Sequence, residues 1–275
     1  MEINNNSQIN NNIYNNANQA LNRIASGVEI NKASDDPSGL SILNNLNVQA
    51  SGYTQAVENS NSAIALTQIA DGALTGQSTI LDNVKEKLLE ASNGTTSQEG
   101  REAILNDIQG LLTQFDDIAS QTNYNGDTLL QNSANNQSAS QTLQFQTSNE
   151  DGTPIETSAV QSNTQGLGLD NLLNEDPNTF SADDARSYLD TLDTAITDLN
   201  SIRGEFGSVQ NQLESNTRNL LSQTNSTLGA ADVFNTDFAA EVANFSKQNI
   251  LAQIGAFGAA QSNNINQQTV TRLLS

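Results

Sequence analysis

The sequence predicts a mainly α fold: an elongated antiparallel helical bundle with paired N- and C-terminal coiled-coil helices and a small β/loop insertion in the middle. Apolar residues recur at three- and four-residue steps over long stretches near both ends of the chain. Hydrophobic residues make up 35% and aromatic residues 4% of the chain, which suits narrow helical seams better than a thick globular core. Residues 132–176 between these stretches are rich in Ser, Thr, Asn and Gln and lack helical periodicity.

The composition limits the function. The 275-residue chain carries 31 acidic and 10 basic residues, a net charge of −21. Nucleic acid and anionic membrane surfaces both require basic patches, so neither is an expected partner. The chain has no Cys and no His, which removes disulfides, thiol chemistry, the commonest general base and the commonest metal ligand. We therefore expect no enzyme activity, no cofactor and no metal site.

The N-terminal segment is rich in Asn, and its apolar residues follow steps of four, three and four from Ile13. Asn side chains compete for local backbone groups, so we expect a helix here only when the segment is packed; a disordered polar tail is the alternative. The segment also lacks the basic and apolar regions of a cleaved secretory signal. The seam residues are Ile13, Ala17, Ala20, Leu21 and Ile24.

Residues 25–39 interrupt the periodicity with Gly27, Pro37 and Gly39. The paired Asp35 and Asp36 invite a catalytic or metal-binding interpretation. No His, Cys or neighbouring base is present to tune them, so helix capping and turn formation are the favoured interpretation.

Four further elements follow in order. A helix from Leu40 to about Ala91 would be about 75 Å long. A second helix, from about Thr96 to Thr122, is expected to run antiparallel to it after the short Asn-Gly turn. Residues 123–127, which include Asn125 and Gly126, predict a tight turn. Alternating residues 142–147 could form a strand paired with residues 155–160.

The last two elements are long helices. Residues 181–184 resemble a helix start, and a seam from Leu189 to Leu220 follows. After a break near residues 229–236, an apolar stripe is predicted to form one face of the terminal helix, with Glu241, Lys247 and Gln248 on the opposite face. Such a stripe needs a partner, and an ordinary core helix is the alternative interpretation. Its residues are Phe238, Val242, Phe245, Ile250, Ile254, Phe257 and Ala260.

Several motifs at both ends of the chain, taken in order, resemble those of the bacterial flagellins. Residues 26–39 are similar to the family's Ser-Gly-Leu-Arg-Ile-Asn-Ser-Ala-x-Asp-Asp-Ala-Ala-Gly, and residues 121–130 to its Gln-Thr-x-Phe-Asn-Gly-x-x-Leu-Leu. Residues 202–211 are similar to its Arg-x-x-x-Gly-x-x-Gln-Asn segment, and residues 237–274 to its C-terminal signature. The motif residues are Gly27, Asn31, Asp35, Asp36, Gly39, Asn125, Gly126, Gly207, Gln210 and Asn211.

The resemblance implies a structural subunit that polymerises into the extracellular flagellar filament used for swimming. It also implies secretion through the flagellar type III channel, an export chaperone on residues 238–274, and hook-associated junction and cap proteins as further partners. The terminal segments of this family fold on polymerisation. The expected polymerisation residues are Ile13, Ala17, Leu21, Ile24, Phe238, Val242, Phe245, Ile250, Ile254, Phe257, Val270, Leu273 and Leu274.

The same resemblance implies three domains. Residues 1–30 and 235–275 would form the terminal coiled-coil polymerisation domain, residues 31–131 and 181–234 the helical-bundle shell domain, and residues 132–180 a variable surface-exposed insertion.

The sequence departs from the family pattern at several positions. The arm before Ser26 is shorter and richer in Asn than in the family, and Val28-Glu29 replaces Leu-Arg. The proline at position 37 resembles the sequence of the related hook–filament junction proteins. Asn83 stands where the family's innate-receptor-binding Arg would lie, so we expect weak receptor activation. Two alternatives to a filament subunit stay open: a hook–filament junction protein, and a non-polymerising secreted adhesin or immune-modulating protein.

Overall fold

The computed structural model describes residues 2–133, 137–138, 140–148, 152 and 154–274, and it describes side chains for residues 11–258 and 260–261 of these stretches.

Two of the helices are very long. The second helix has 55 residues, about 82 Å at 1.5 Å per residue. The predicted mainly α fold with paired terminal helices is confirmed. The helices are α1 (Glu2–Ser26), α2 (Pro37–Ala91), α3 (Gln98–Gln121), α4 (Asp170–Leu173), α5 (Ala182–Asp232) and α6 (Phe238–Leu274).

Side-chain caps fix where the long helices begin. Asp36 Oδ1 accepts a hydrogen bond from the N–H two residues on, just before Pro37 opens α2. Ser97 Oγ accepts a hydrogen bond from the third N–H of α3 at 3.1 Å. Ser181 and Asp184 form a reciprocal pair at the start of α5, in which each side chain accepts a hydrogen bond from the other residue's backbone N–H. The predicted helix starts therefore rest on local polar chemistry.

Two small antiparallel hairpins lie between α3 and α4. The first pairs β1 (Asn123–Tyr124) with β2 (Asp127–Thr128) through a two-residue turn. Asn125 has φ 53° and Gly126 has φ 95°, both positive, as a type I′ turn requires. The second pairs β3 (Gln144–Phe145) with β4 (Ile155–Glu156). Both lie where the sequence predicts a turn and a strand pair.

The chain divides into two compact units. Unit 1 comprises residues 1–50 and 224–275, and unit 2 comprises residues 51–223. The division between them falls within α2 and α5, whereas the three-domain division expected from the family resemblance stays a prediction.

Unit 2 contains the hydrophobic core. Its helices bury large apolar side chains almost completely, and Leu129 and Leu130 directly after β2 join the same cluster, as does Phe145 of β3. Three of its side chains are the largest that are fully buried: Phe115, Phe180 and Phe206. Such burial is the main term that stabilises a helical bundle.

Buried polar side chains hold the segment after β4 against α2 and α3. Gln77 Nε2 donates to the carbonyl of Phe115 at 3.0 Å and to the carbonyl of Ser162 at 2.8 Å. The Asp116 carboxylate accepts from the backbone N–H and the hydroxyl of Thr164, both at 2.7 Å. Burial raises the pKa of the Asp116 carboxyl above its ordinary value, although the hydrogen bonds from Thr164 oppose the rise. Sequence reasoning did not single out this network, because its members are far apart along the chain.

Candidate assembly surface

The end of α1 and the start of α6 are joined by a short β-like clasp, formed by residues 27–29 and 234–236. Val28 and Asn235 form an isolated antiparallel bridge. The N–H of Glu29 donates to the carbonyl of Phe234 at 2.9 Å, and the N–H of Thr236 donates to the carbonyl of Gly27 at 3.0 Å. The clasp holds the C-terminal end of α1 beside the N-terminal end of α6. The two helices therefore leave the clasp side by side and run antiparallel. The sequence gives no alternating pattern that would have predicted this clasp.

Gly27 allows α1 to end at the clasp. Its φ of 73° lies in the left-handed region that favours glycine, and its N–H donates to the carbonyl of Arg23 at 2.8 Å.

The motif residues that follow Gly27 organise the turn into α2. Asn31 Nδ2 donates to Ser26 Oγ at 2.7 Å and to the carbonyl of Val28 at 3.2 Å. The Asp35 carboxylate accepts from the backbone N–H groups of Asn31 and Lys32. Asn31 and Asp35 therefore stabilise the turn, as the sequence predicts for Asp35, and these contacts are not a catalytic arrangement.

Gly39 lies in a site with no room for a side chain. A Cβ at this position would lie 2.5 Å from Ile30 Cδ1 and 2.6 Å from Asp36 Oδ2. A larger residue would therefore require the side chains of Ile30 and Asp36 to shift.

The remaining motif residues lie elsewhere. Asn125 and Gly126 form the exposed β1–β2 turn described above. Gly207, Gln210 and Asn211 lie within α5, where Gly207 and Asn211 are exposed and Gln210 Nε2 donates to Glu214 Oε1 at 3.2 Å. These three residues belong to unit 2, whereas the clasp belongs to unit 1.

α1 packs against α6 through small side chains. On α1, Ala17 and Ala20 are buried, and Ile13 and Ile24 are half-buried. On α6, Glu241 and Ala252 are buried, while Phe245 and Gln248 are half-buried. Arg23 Nη1 on α1 lies 3.7 Å from Glu241 Oε1 on α6.

The predicted orientation of α6 is wrong for two residues. Glu241 and Gln248, which the sequence placed on the polar face, lie on the covered side of the helix. Each residue turns a helix by about 100°, so the five-residue step from Phe245 to Ile250 rotates the later part of the stripe by about 140°. The later apolar residues are thereby turned away from α1.

Five of the predicted polymerisation residues on α6 are exposed. The exposed fraction is 81% for Phe257 and 61% for Ile254. Phe238, Ile250 and Val242 are also exposed, as is Leu21 on α1. Val270, Leu273 and Leu274 lie outside the residues whose side chains the structure describes, so their surroundings stay a prediction.

Exposed apolar side chains are concentrated in unit 1. Among the side chains that the structure describes, twelve of the fifteen exposed large apolar residues belong to unit 1, although it is the smaller unit. We call these twelve the open apolar surface. On α6, Ile250, Ile254 and Phe257 lie on one side of the helix, and a contiguous exposed apolar patch typically marks a protein interface. The members of the open apolar surface are Tyr14, Leu21, Ile42, Val48, Leu228, Val233, Phe238, Val242, Ile250, Leu251, Ile254 and Phe257.

The Asp and Glu residues in the described part of the chain form no group of three that could hold a metal ion. A groove of about 430 Å³ lies between the β1–β2 turn and β3. Among the described residues that line it, Asp127 is the only carboxylate, so the groove lacks the pair of carboxylates that general acid–base chemistry often uses. No helix in the described residues is long and apolar enough to cross a bilayer.

Comparison with known proteins identifies relatives over almost the whole chain. Two family models match, the bacterial flagellin N-terminal helical region over residues 1–136 and the bacterial flagellin C-terminal helical region over residues 189–274. The flagellin of Bacillus subtilis is 31% identical over 280 residues, covering 92% of this chain and 91% of that protein.

Two further comparisons agree. The flagellar filament 31.3 kDa core protein of Treponema maltophilum is 28% identical over 261 residues, covering 92% of this chain and 91% of that protein. The crystal structure of Bacillus cereus flagellin superposes with a TM-score of 0.50 at 26% identity, covering 59% of this chain and 88% of that chain.

Proposed function

This chain belongs to the bacterial flagellins, and from that premise we propose that it is a structural subunit of a flagellar filament. Copies of the chain assemble with one another into the helical filament that drives swimming. The open apolar surface carries this proposal, because its twelve side chains are 38–81% exposed in the described part of the chain.

The energetics favour assembly through unit 1. Burying a large apolar side chain completely contributes roughly 1.5–3 kcal/mol. The exposed residues of α6 alone, from Phe238 to Phe257, offer several such contributions to a neighbouring copy. Part of this gain is offset by the cost of ordering the Asn-rich α1. A long α1–α6 pair with one uncovered side is therefore suited to an interface between copies.

The finer assignments extend this proposal. Residues 1–30 and 235–275 form the polymerisation domain, residues 31–131 and 181–234 the shell, and residues 132–180 the outer surface. The contacts between copies use Ile13, Ala17, Leu21, Ile24 and the apolar residues of α6, including Val270, Leu273 and Leu274. The chain leaves the cell by the flagellar type III route, works outside the cell and catalyses no reaction. An export chaperone covers α6 before assembly, and hook-associated junction and cap proteins bind the ends of the filament.

Seeded extension tests the proposal. Purified chain is added to short filament fragments and examined by electron microscopy, and we expect long filaments. Failure to extend the seeds by a chain that is folded and helical would contradict a filament subunit and favour a junction protein.

A matched pair of variants tests the surface itself. Ile254→Asp places a charge in the interface and should abolish extension, because a buried unpaired charge is strongly unfavourable. Leu89→Asp is the control, since Leu89 is 54% exposed, comparable to Ile254, but lies in unit 2. Normal filaments from Ile254→Asp, or equal losses from both variants, would count against the open apolar surface as the interface.

A further inference from the structure

The packing between α1 and α6 specifies their alignment only weakly. The residues that bury their side chains there are mainly Ala17, Ala20 and Ala252, which have the same size and shape. Much of the rest of α1 is Asn. The larger apolar residues of the interface, Ile13, Ile24 and Phe245, are only half-buried, so apolar shape gives one alignment a weak preference. Helix pairs with uniform seams can slide by a turn with little loss of packing, and a single polar or charged contact commonly fixes their register.

The Arg23–Glu241 ion pair is suited to that role. Arg23 is the only charged residue of α1 whose side chain the structure describes. Glu241 is 8% exposed, and its carboxylate faces Arg23 across the interface at 3.7 Å. Lys247, the other charged residue of α6 with a described side chain, is exposed. The interface thus buries one acid and provides one base beside it.

The clasp lies next to this pair. It joins Gly27 to Thr236, four residues after Arg23 and five residues before Glu241. A slip of one helical turn moves one helix by about 5.4 Å along the other, which separates the two charges. Glu241 would then be buried without its partner, and an uncompensated buried charge costs more than the pair itself contributes. Only the native register keeps both the clasp and the ion pair.

We propose that Arg23 and Glu241 are the register-setting residues of the terminal helix pair and that filament assembly depends on their alignment. In the native register α6 presents Ile250, Ile254 and Phe257 outward. A different register changes which side chains neighbouring copies meet. The dependence on assembly rests on the proposed function, whereas the register itself does not.

Charge exchange tests the proposal. Arg23→Glu and Glu241→Arg each place like charges opposite one another and should slow seeded extension by about tenfold or more. The double variant restores opposite charges and should recover extension to within about threefold of the parent chain. Lys85→Glu, which breaks the exposed Lys85–Asp193 pair in unit 2, is the control and should extend seeds normally.

A cross-link reads the register without relying on assembly. The parent chain has no Cys, so Val28→Cys with Asn235→Cys supplies the only two thiols. These residues face each other across an antiparallel bridge, where the spacing between chains suits a disulfide. In this background Arg23→Glu and Glu241→Arg should lower the yield of the cross-link, and the double exchange should restore it.

The outcomes separate the two proposals. Single variants that cross-link as well as the parent, or a double exchange no better than the singles, would overturn the register role. A parent chain that never extends seeds would remove the filament proposal. The register role would still be supported if the cross-link yield followed the pairing of charges.

Discussion

Units 1 and 2 use the same long helices in opposite ways. Unit 2 carries 24 acidic and 6 basic residues, a net charge of −18, and it buries Phe115, Phe180 and Phe206 completely. Unit 1 carries 7 acidic and 4 basic residues, a net charge of −3, and its buried residues are mainly Ala. Among its described side chains, twelve large apolar ones are exposed, whereas Leu43 is buried. The difference shows that one helix can bury its apolar side chains within the chain over part of its length. Over the rest of its length it needs a second molecule to cover them.

The largest expected effect separates the two uses of phenylalanine. Phe206→Ala should lower the free energy of unfolding by about 3–5 kcal/mol, because Phe206 is only 1% exposed. Phe257→Ala should change the unfolding free energy by less than about 0.5 kcal/mol, since Phe257 is 81% exposed, yet it should impair seeded extension. Urea denaturation followed by circular dichroism measures the first quantity and electron microscopy the second. Equal losses of stability in both variants would break the comparison between the units.

The next effect concerns the buried polar network of unit 2. Asp116→Ala removes the acceptor for the Thr164 N–H and hydroxyl and should cost about 1–3 kcal/mol of unfolding free energy. Asp116→Asn keeps an acceptor and should cost less. Urea denaturation of the three chains at neutral pH measures both differences. Equal stability of Asp116→Ala and the parent would show that the network does not stabilise unit 2.

The same carboxyl gives a pH dependence of known sign. Its pKa is raised in the folded chain by burial, so the folded state holds the proton more tightly than the unfolded state. The resulting contribution to stability is present below the unfolded pKa of about 3.9 and is lost as pH rises through the folded pKa. Asp116→Asn should lack this component of the stability profile. A parent and variant with parallel profiles across that window would contradict the assignment.

A smaller effect is expected at the start of α5. Ser181→Ala removes the hydroxyl that caps the helix and donates to Asp184, and should cost about 1 kcal/mol. The side-chain hydrogen bond from Ser181, with help from its backbone N–H, lowers the pKa of the Asp184 carboxyl. That contribution to stability is present above the unfolded pKa and is lost as pH falls through the folded pKa. Titration of Asp184 followed by NMR should show its pKa rising in the variant, and an unchanged titration would rule out the reciprocal cap.

The smallest effect follows from the charge of unit 2. Neighbouring copies bring surfaces of like charge together, and salt shortens the screening length from about 10 Å at 0.1 M to about 3 Å at 1 M. Seeded extension should therefore be faster in higher salt. Replacing Asp183, Asp190 and Asp198 with Asn should weaken this dependence, because all three are exposed acids of α5. If these replacements leave the salt response unchanged, salt would instead act through the apolar contacts of unit 1.

The sequence predicted the helices and turns well because their signals are local. Pro37 and the acids before it predicted the start of α2, and the Ser181–Asp184 spacing predicted the start of α5. The Asn125–Gly126 turn required two residues that tolerate positive φ, and the sequence supplies them together. The covered face of α6 was predicted less well, since a stripe with five-residue steps drifts around the helix.

By itself, the sequence determined the long helices, their caps and the tight turn, since each depends on residues a few positions apart. Its composition also excluded chemistry that needs His or Cys. Only the tertiary structure decided that Glu241 lies inward opposite Arg23, that residues 27–29 clasp residues 234–236, and that Asp116 holds Thr164. These contacts join residues separated by tens to hundreds of positions. Their existence depends on which helix faces pack together, and small and amide side chains leave that choice open until the whole chain has folded.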